Sequence, residues 1–348
     1  MLREDLEAHL IEKEFSGVVS ISVDHESIFE KAFGLADRQW QIRNTSNTRF
    51  GIASGTKLLT ALGILILVER KLLSLDQNVL PILLEIPEFK ERGLEKIYSP
   101  EITIRHLLMH ASGIPDYFEE DVSDEFGTFQ PEVPWNLLRK PADYFQVFPI
   151  EPMKFEPGTA FAYNNGGFVI LAAIIEAVSN CGYHEFIETE ILQKCHMDKS
   201  GFFELDRLPE NTAIGYIKDQ RGWHSNIYSL PIIGGGDGGL FTCLEDVAKL
   251  WEHLLKGDII SIELLKGCLS TQIKALSEGE YHEYGLGIWI LNHPEFPREV
   301  YILGCDAGVS FKSVWIESEK ILFTVMSNTT SGAWQVVKEI RRHLNLNP

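Results

Sequence analysis

A hydroxyl and an amine stand three residues apart in Ser54-Gly55-Thr56-Lys57, directly ahead of an almost unbroken apolar run from Leu58 to Val68. A helix starting near Ser54 would be buried. Residues three apart share a helix face, which places Lys57 one turn from the Ser54 oxygen. A serine alcohol is a poor nucleophile until a base takes its proton. A lysine enclosed among apolar groups loses enough of its charge to be that base. At a helix start, unpaired N–H groups and the positive end of the dipole would also face the reacting carbonyl. The chemistry implied is attack on an ester or amide. The same four residues also fit a capping serine beside a solvated lysine, so their context decides.

Other chemistry-bearing residues are fewer. His106 and His110 are four apart, a spacing open to a metal, but the pair lacks the glutamate of H-E-x-x-H and a third ligand nearby. We read them as packed or hydrogen-bonded histidines, with no metal and no cofactor expected. Gly234-Gly235-Gly236-Asp237-Gly238-Gly239 lacks the spacing and strand-to-helix setting of a dinucleotide loop. It reads as a tight loop that lets backbone approach a cleft. Phe155-Glu156-Pro157-Gly158-Thr159 is a turn leading to Tyr163 and Asn165. Alone, these would be a packed aromatic and a turn residue.

The elements that must position these groups follow from periodicity. Residues 1–13 suit an amphipathic helix, and Gly17 to Val23 with Ser27 to Gly34 suit an antiparallel hairpin. The middle reads as helices and loops: Ile102 to His110 with Thr103 as its N-cap, Phe168 to Val178, and Leu244 to Leu255. Tyr117 to Asp121 opens a long acidic loop, read as a lid. Period two returns at Tyr284 to Leu291, Val300 to Leu303, Val309 to Ile316 and Ile321 to Ser327, before a helix from Ala333 to His343. The reading is an α/β chain of the α+β type. One antiparallel sheet from both chain ends (1–50 and 281–348) is flanked by terminal helices, and a mainly helical region (51–280) is inserted.

Composition narrows the function. The 348 residues allow one large unit with a sizeable core. A net charge of -19 opposes nucleic acid and anionic membrane as partners. Cys181, Cys195, Cys243, Cys268 and Cys305 form no C-x-x-C pair and read as free thiols. The acidic start is unlike a signal peptide, and Leu58 to Val68 is too short to span a bilayer. The expectation is a cytoplasmic protein acting on a small molecule or peptide, its oligomeric state left open.

Together these segments resemble the serine β-lactamases and penicillin-binding proteins, in the branch of class C β-lactamases, D-alanyl-D-alanine carboxypeptidases and related esterases. Ser54-Gly55-Thr56-Lys57 resembles the nucleophile motif, and Tyr163-Asn164-Asn165 the second motif, Y-x-N. The string from Arg105 to Tyr117, R-H-L-L-x-H-x-S-G-I-P-D-Y, is among the most specific parts. The resemblance implies the β-lactamase/transpeptidase-like fold and an acyl-enzyme on Ser54. Lys57 and Tyr163 would share the acid and base roles, and Asn165 would orient Lys57 and hold a substrate amide.

The third motif departs from the family. Where K-T-G or H-x-G stands, this chain has Tyr301-Ile302-Leu303-Gly304-Cys305. Aligning Gly304 puts Ile302 at the Lys or His position, and a one-residue slip puts Leu303 there. Neither donates a proton. Gly304 still allows a close approach, and the Cys305 N–H with that of Ser54 would form an oxyanion hole. Loss of the cation favours a neutral ester or amide over a carboxylate-bearing β-lactam. The expectation is a serine hydrolase, as an esterase or D-amino-acid peptidase. The alternatives are a slowly deacylating penicillin-binding protein and a non-catalytic binding member.

Overall fold

The computed structural model describes residues 2–118, 131–275 and 281–346. Helix α1 (Leu2–Glu12) leads into the hairpin β1 (Gly17–Val23) and β2 (Glu26–Phe33). The remaining sheet strands come late: β3 (Ile273–Lys274), β4 (His282–Tyr284), β5 (Trp289–Leu291), β6 (Glu299–Asp306), β7 (Val309–Ile316) and β8 (Ile321–Ser327). They form one eight-stranded antiparallel sheet in the order β2-β1-β8-β7-β6-β5-β4-β3. The first hairpin is thus sealed onto the last strand, as the fold reading required.

Side chains alternate between the sheet's two faces. Val19 pairs with Val325, and both join the apolar cluster under α1 and the closing helix α5 (Gly332–His343), with Leu6, Leu10 and Ile340. Val18 pairs with Met326, and both join the larger cluster on the opposite face, toward the inserted helices. On the α5 side, Glu299 is fully buried and held by Arg341 at 2.6 Å. That pair ties α5 to β6, and removing one partner of a buried pair costs about 3–5 kcal/mol.

The insert is organised by two apolar helices. In α2 (Lys57–Glu69) every residue from Lys57 to Leu67 is buried, and in α3 (Asn165–Ser179) every residue from Asn165 to Ile175. Each leucine, isoleucine or valine taken fully out of water contributes about 1.5–3 kcal/mol, so these helices are core rather than surface. They pack directly, with Gly63 facing Ile175. A third helix, α4 (Leu244–Lys256), reaches the sheet, where Trp251 Nε1 donates to Ser313 Oγ at 2.9 Å. Thr103 caps the short helix Ile104–Leu108, accepting the His106 N–H at 3.2 Å.

Two expectations need correction. Ser54 does not open an α-helix but sits in a 3-10 turn, Ala53–Thr56, with α2 starting at Lys57. The strand expected from Tyr284 to Leu291 is interrupted between β4 and β5, where Gly287 takes φ 79° and donates to the Leu108 carbonyl at 3.1 Å. A β-carbon there would overlap Ala61 of α2, so the approach of that helix imposes the break. The acidic loop beyond Phe118 lies outside the described residues. Among the described helices, no single one is long and apolar enough to cross a membrane.

Candidate active site

The turn before α2 aims Ser54 at a cavity of about 630 Å³. Ala53 takes φ 44°, a left-handed conformation that non-glycine residues avoid and that often marks a functional turn. Lys57 lies below the cavity at 2% exposure. Its ammonium donates to Ser54 Oγ at 2.9 Å, Asn165 Oδ1 at 2.7 Å and the Asp237 carbonyl at 2.7 Å. Burying an ammonium without such acceptors would cost several kcal/mol, so this enclosure is tolerable only because its donors are matched. Asn165 is the first residue of α3, and Asp237 belongs to the glycine-rich loop that the sequence reading brought to the cleft.

Tyr163 approaches Lys57 differently. The ammonium lies 4.9 Å from its ring centroid, a cation–π distance. The ring is packed between His110 (4.4 Å) and Trp289 (6.1 Å, stacked at 16°). His110 grips the Tyr163 segment from two sides: its carbonyl accepts the Ala162 N–H at 2.9 Å, and its Nδ1 accepts the Asn164 N–H at 3.1 Å. The proton therefore resides on Nε2, which is buried without a hydrogen-bond partner among the described residues. Burial, together with the nearby Lys57, pushes the His110 imidazole well below its usual range. His106 Nδ1 accepts the Thr103 N–H at 3.3 Å, so each histidine of the pair serves the backbone.

The sheet edge closes the other side. Gly304 of β6 runs against the nucleophile turn, and a β-carbon there would overlap the Ile52 carbonyl and lie 2.9 Å from the Ser54 nitrogen. Cys305 lines the cavity, while its thiol donates to the Thr330 carbonyl at 3.3 Å. Because strand residues alternate, position 302 shares the Gly304 face and 303 does not. Ile302 is 3% exposed and belongs to the core on the insert side, whereas Leu303 packs against the cluster under the terminal helices. The two alignments of the third motif are thereby separated in favour of Ile302.

The cations on and beside the neighbouring strands do not replace the missing one. Lys312 stands 4.0 Å from the Tyr301 ring centroid, and burial pushes its amine down to about 8. Arg298 donates to the Leu269 carbonyl. Neither lines the cavity. Asp37, Asp206, Glu210, Asp237 and Asp306 do, against the one cation Arg43 among the described residues.

The sheet, the inserted helices and a serine held by a buried lysine form the β-lactamase/transpeptidase-like fold. The chain belongs to the beta-lactamase family, whose pattern matches residues 3–347. It is 30% identical over 328 residues to a penicillin-binding protein of Bacillus subtilis, spanning 89% of this chain and 67% of that one. The crystal structure of a penicillin-binding protein from Bacillus halodurans superposes with a TM-score of 0.88 at 36% identity, over 97% of this chain and 99% of the other. An esterase from Burkholderia gladioli is 30% identical over 221 residues, 61% of this chain and 53% of the esterase.

Sequence reasoning left two contributors without a role. Asp237 reaches Lys57 through its carbonyl, which no side-chain pattern signals. Asp116 sits inside the specific string that ends at Tyr117, and that string was the available signal, while His110, read as a packed or hydrogen-bonded histidine, is both.

Proposed function

We propose that this protein is a serine hydrolase that forms an acyl-enzyme on Ser54 with esters or amides whose acyl part carries no carboxylate. The observation that carries the reading is the Lys57 ammonium 2.9 Å from Ser54 Oγ in a buried, fully accepted position. The Lys57–Tyr163 pair, after giving up one proton to solvent, takes the serine proton as Oγ bonds to the carbonyl carbon. The Ser54 and Cys305 N–H groups receive the developing oxyanion across the Gly304 approach. The proton then passes to the leaving group as the bond to it breaks, and water releases the acyl group. Asn165 holds Lys57 and offers its amide to substrate.

The carboxylates lining the cavity support the substrate class, since a substrate carboxylate would meet repulsion there, and Ile302, buried in the core behind the sheet edge, supplies no cation to offset it. The relatives are named both as penicillin-binding proteins and as an esterase, and the altered third motif favours the ester side. The test is intact-protein mass spectrometry and product release with an activated neutral ester and, separately, a penicillin. Wild type should turn over the ester and resist the penicillin, and Ser54→Ala should neither turn over the ester nor form an adduct with either compound. A lasting penicillin adduct on wild type would instead favour a slowly deacylating penicillin-binding protein. Ester turnover undiminished in Ser54→Ala would overturn the nucleophile.

A further inference from the structure

Lys57 can be held only if the right atom of Asn165 faces it, because the amide oxygen accepts while the amide nitrogen donates. Asn165 Nδ2 donates backward, to Asp116 Oδ2 at 3.2 Å and to the Phe118 carbonyl at 3.1 Å. With both of those acceptors behind it, only one amide orientation turns Oδ1 toward Lys57. Asp116 is 4% exposed, and its carboxylate also accepts the N–H groups of Asn165 (2.6 Å) and Gly166 (2.8 Å) at the start of α3. Those two backbone bonds would suffice for an ordinary helix anchor. The bond to the Asn165 side chain is what an anchor would not need.

The next residue braces the other acceptor. Tyr117 O–H donates to Asp237 Oδ2 at 2.6 Å, and Asp237 in turn offers its carbonyl to Lys57. The Tyr117 ring is stacked on Phe148 (5.8 Å, 5°) and meets Tyr144 edge-on (5.7 Å, 72°). Burial, and then the Asp237 charge, push the phenol well above its usual range, so it stays a donor.

We propose that Asp116 and Tyr117 are positioning residues for the reaction, acting through Asn165 and Asp237 to set two of the acceptors around the Lys57 ammonium from one turn of chain. The proposal rests on the acyl-enzyme reading above. Asp116, which does not line the cavity, acts on how fast bound substrate reacts and not on how tightly it binds, whereas Tyr117 also forms part of the cavity wall.

The experiment uses the full chain and a p-nitrophenyl ester of a neutral acid, following nitrophenolate release against ester concentration. Wild type, Ser54→Ala, Asp116→Asn, Asn165→Ala, the double variant Asp116→Asn/Asn165→Ala and Tyr117→Phe are compared, each with its melting temperature. Asp116→Asn should lower the saturating rate about tenfold or more, with half-saturation changed less than about twofold. Added to Asn165→Ala, it should cost less than about a further twofold, because the group it acts through is gone. Tyr117→Phe should lower the saturating rate about three- to tenfold. A wild-type rate in Asp116→Asn, or its full loss repeated on top of Asn165→Ala, would overturn the positioning role of Asp116 and leave a helix anchor. If Asp116→Asn does not fold, Tyr117→Phe decides: the wild-type rate there overturns the proposal. Absence of Ser54-dependent release in wild type would overturn the acyl-enzyme reading and this proposal together, and is visible before any brace is altered.

Discussion

On the helical side of the cavity, Lys57 is 2% exposed and meets Ser54, Asn165 and Asp237 with its ammonium; on the sheet side, Ile302 is 3% exposed and has no polar atom to offer. Burial is nearly equal, but its consequences are opposite. A buried ammonium must be matched donor by donor, which binds three separate stretches of chain into one geometry. A buried isoleucine asks only for apolar neighbours and leaves the adjoining wall free to change. The helical side is thus constrained by the need to match a buried charge. The sheet side is constrained at Gly304, where backbone must pass, and carries an uncharged core residue at 302.

The comparison breaks most sharply at the nucleophile. Ser54→Ala should lower ester turnover by about a thousandfold or more with the melting temperature unchanged, read by nitrophenolate release and calorimetry. Gly304→Val tests the fixed point of the sheet side. Its β-carbon would overlap the Ile52 carbonyl, so acylation should fall about a hundredfold and the melting temperature should drop with it. If that variant kept wild-type acylation, the strand edge would have no part in the site.

Ile302→Lys sharpens the contrast by restoring a cation. Penicillin acylation, followed by mass, should rise about tenfold, while stability falls by about 1–3 kcal/mol because an ammonium replaces a packed side chain. An unchanged penicillin rate would detach position 302 from substrate choice.

The smallest effect concerns His110, which the fold keeps neutral. Its folded pKa lies well below 6.5, so below that pH the unfolded chain binds a proton that the folded chain refuses. Stability is therefore full above about pH 6.5 and declines as the pH falls toward 5. His110→Asn offers an amide oxygen to the Asn164 N–H and tolerates the φ of 56° at this position. Melting curves between pH 5 and 7 should be flatter for this variant than for wild type.

The sheet was legible because its strands alternate and the apolar run after Ser54 is continuous. Ser54, Lys57 and Asn165 were singled out by the resemblance of their two motifs to a known family, and the structure brings the three side chains into contact. The hairpin Tyr216–Asp219 with Gly222–Ser225 was not, since it is short, largely exposed and polar. Nor was the break at Gly287, whose cause is a helix more than two hundred residues earlier in the chain. The roles of Asp116 and Tyr117 depend on partners 49 and 120 residues away, and no local pattern encodes such distances.

The seal between β1 and β8 also sets an order of events at the ribosome. Synthesis runs from the first residue onward, so α2 and α3 exist, and can pack, well before β6 emerges. Pairings of such long sequence separation form slowly and late. During that interval Ser54 and Lys57 are present but the strand carrying Gly304 is not, so the nascent chain holds its reactive pair without the wall that completes it. The geometry around Ser54 is complete only after β6 has been made and has paired into the sheet.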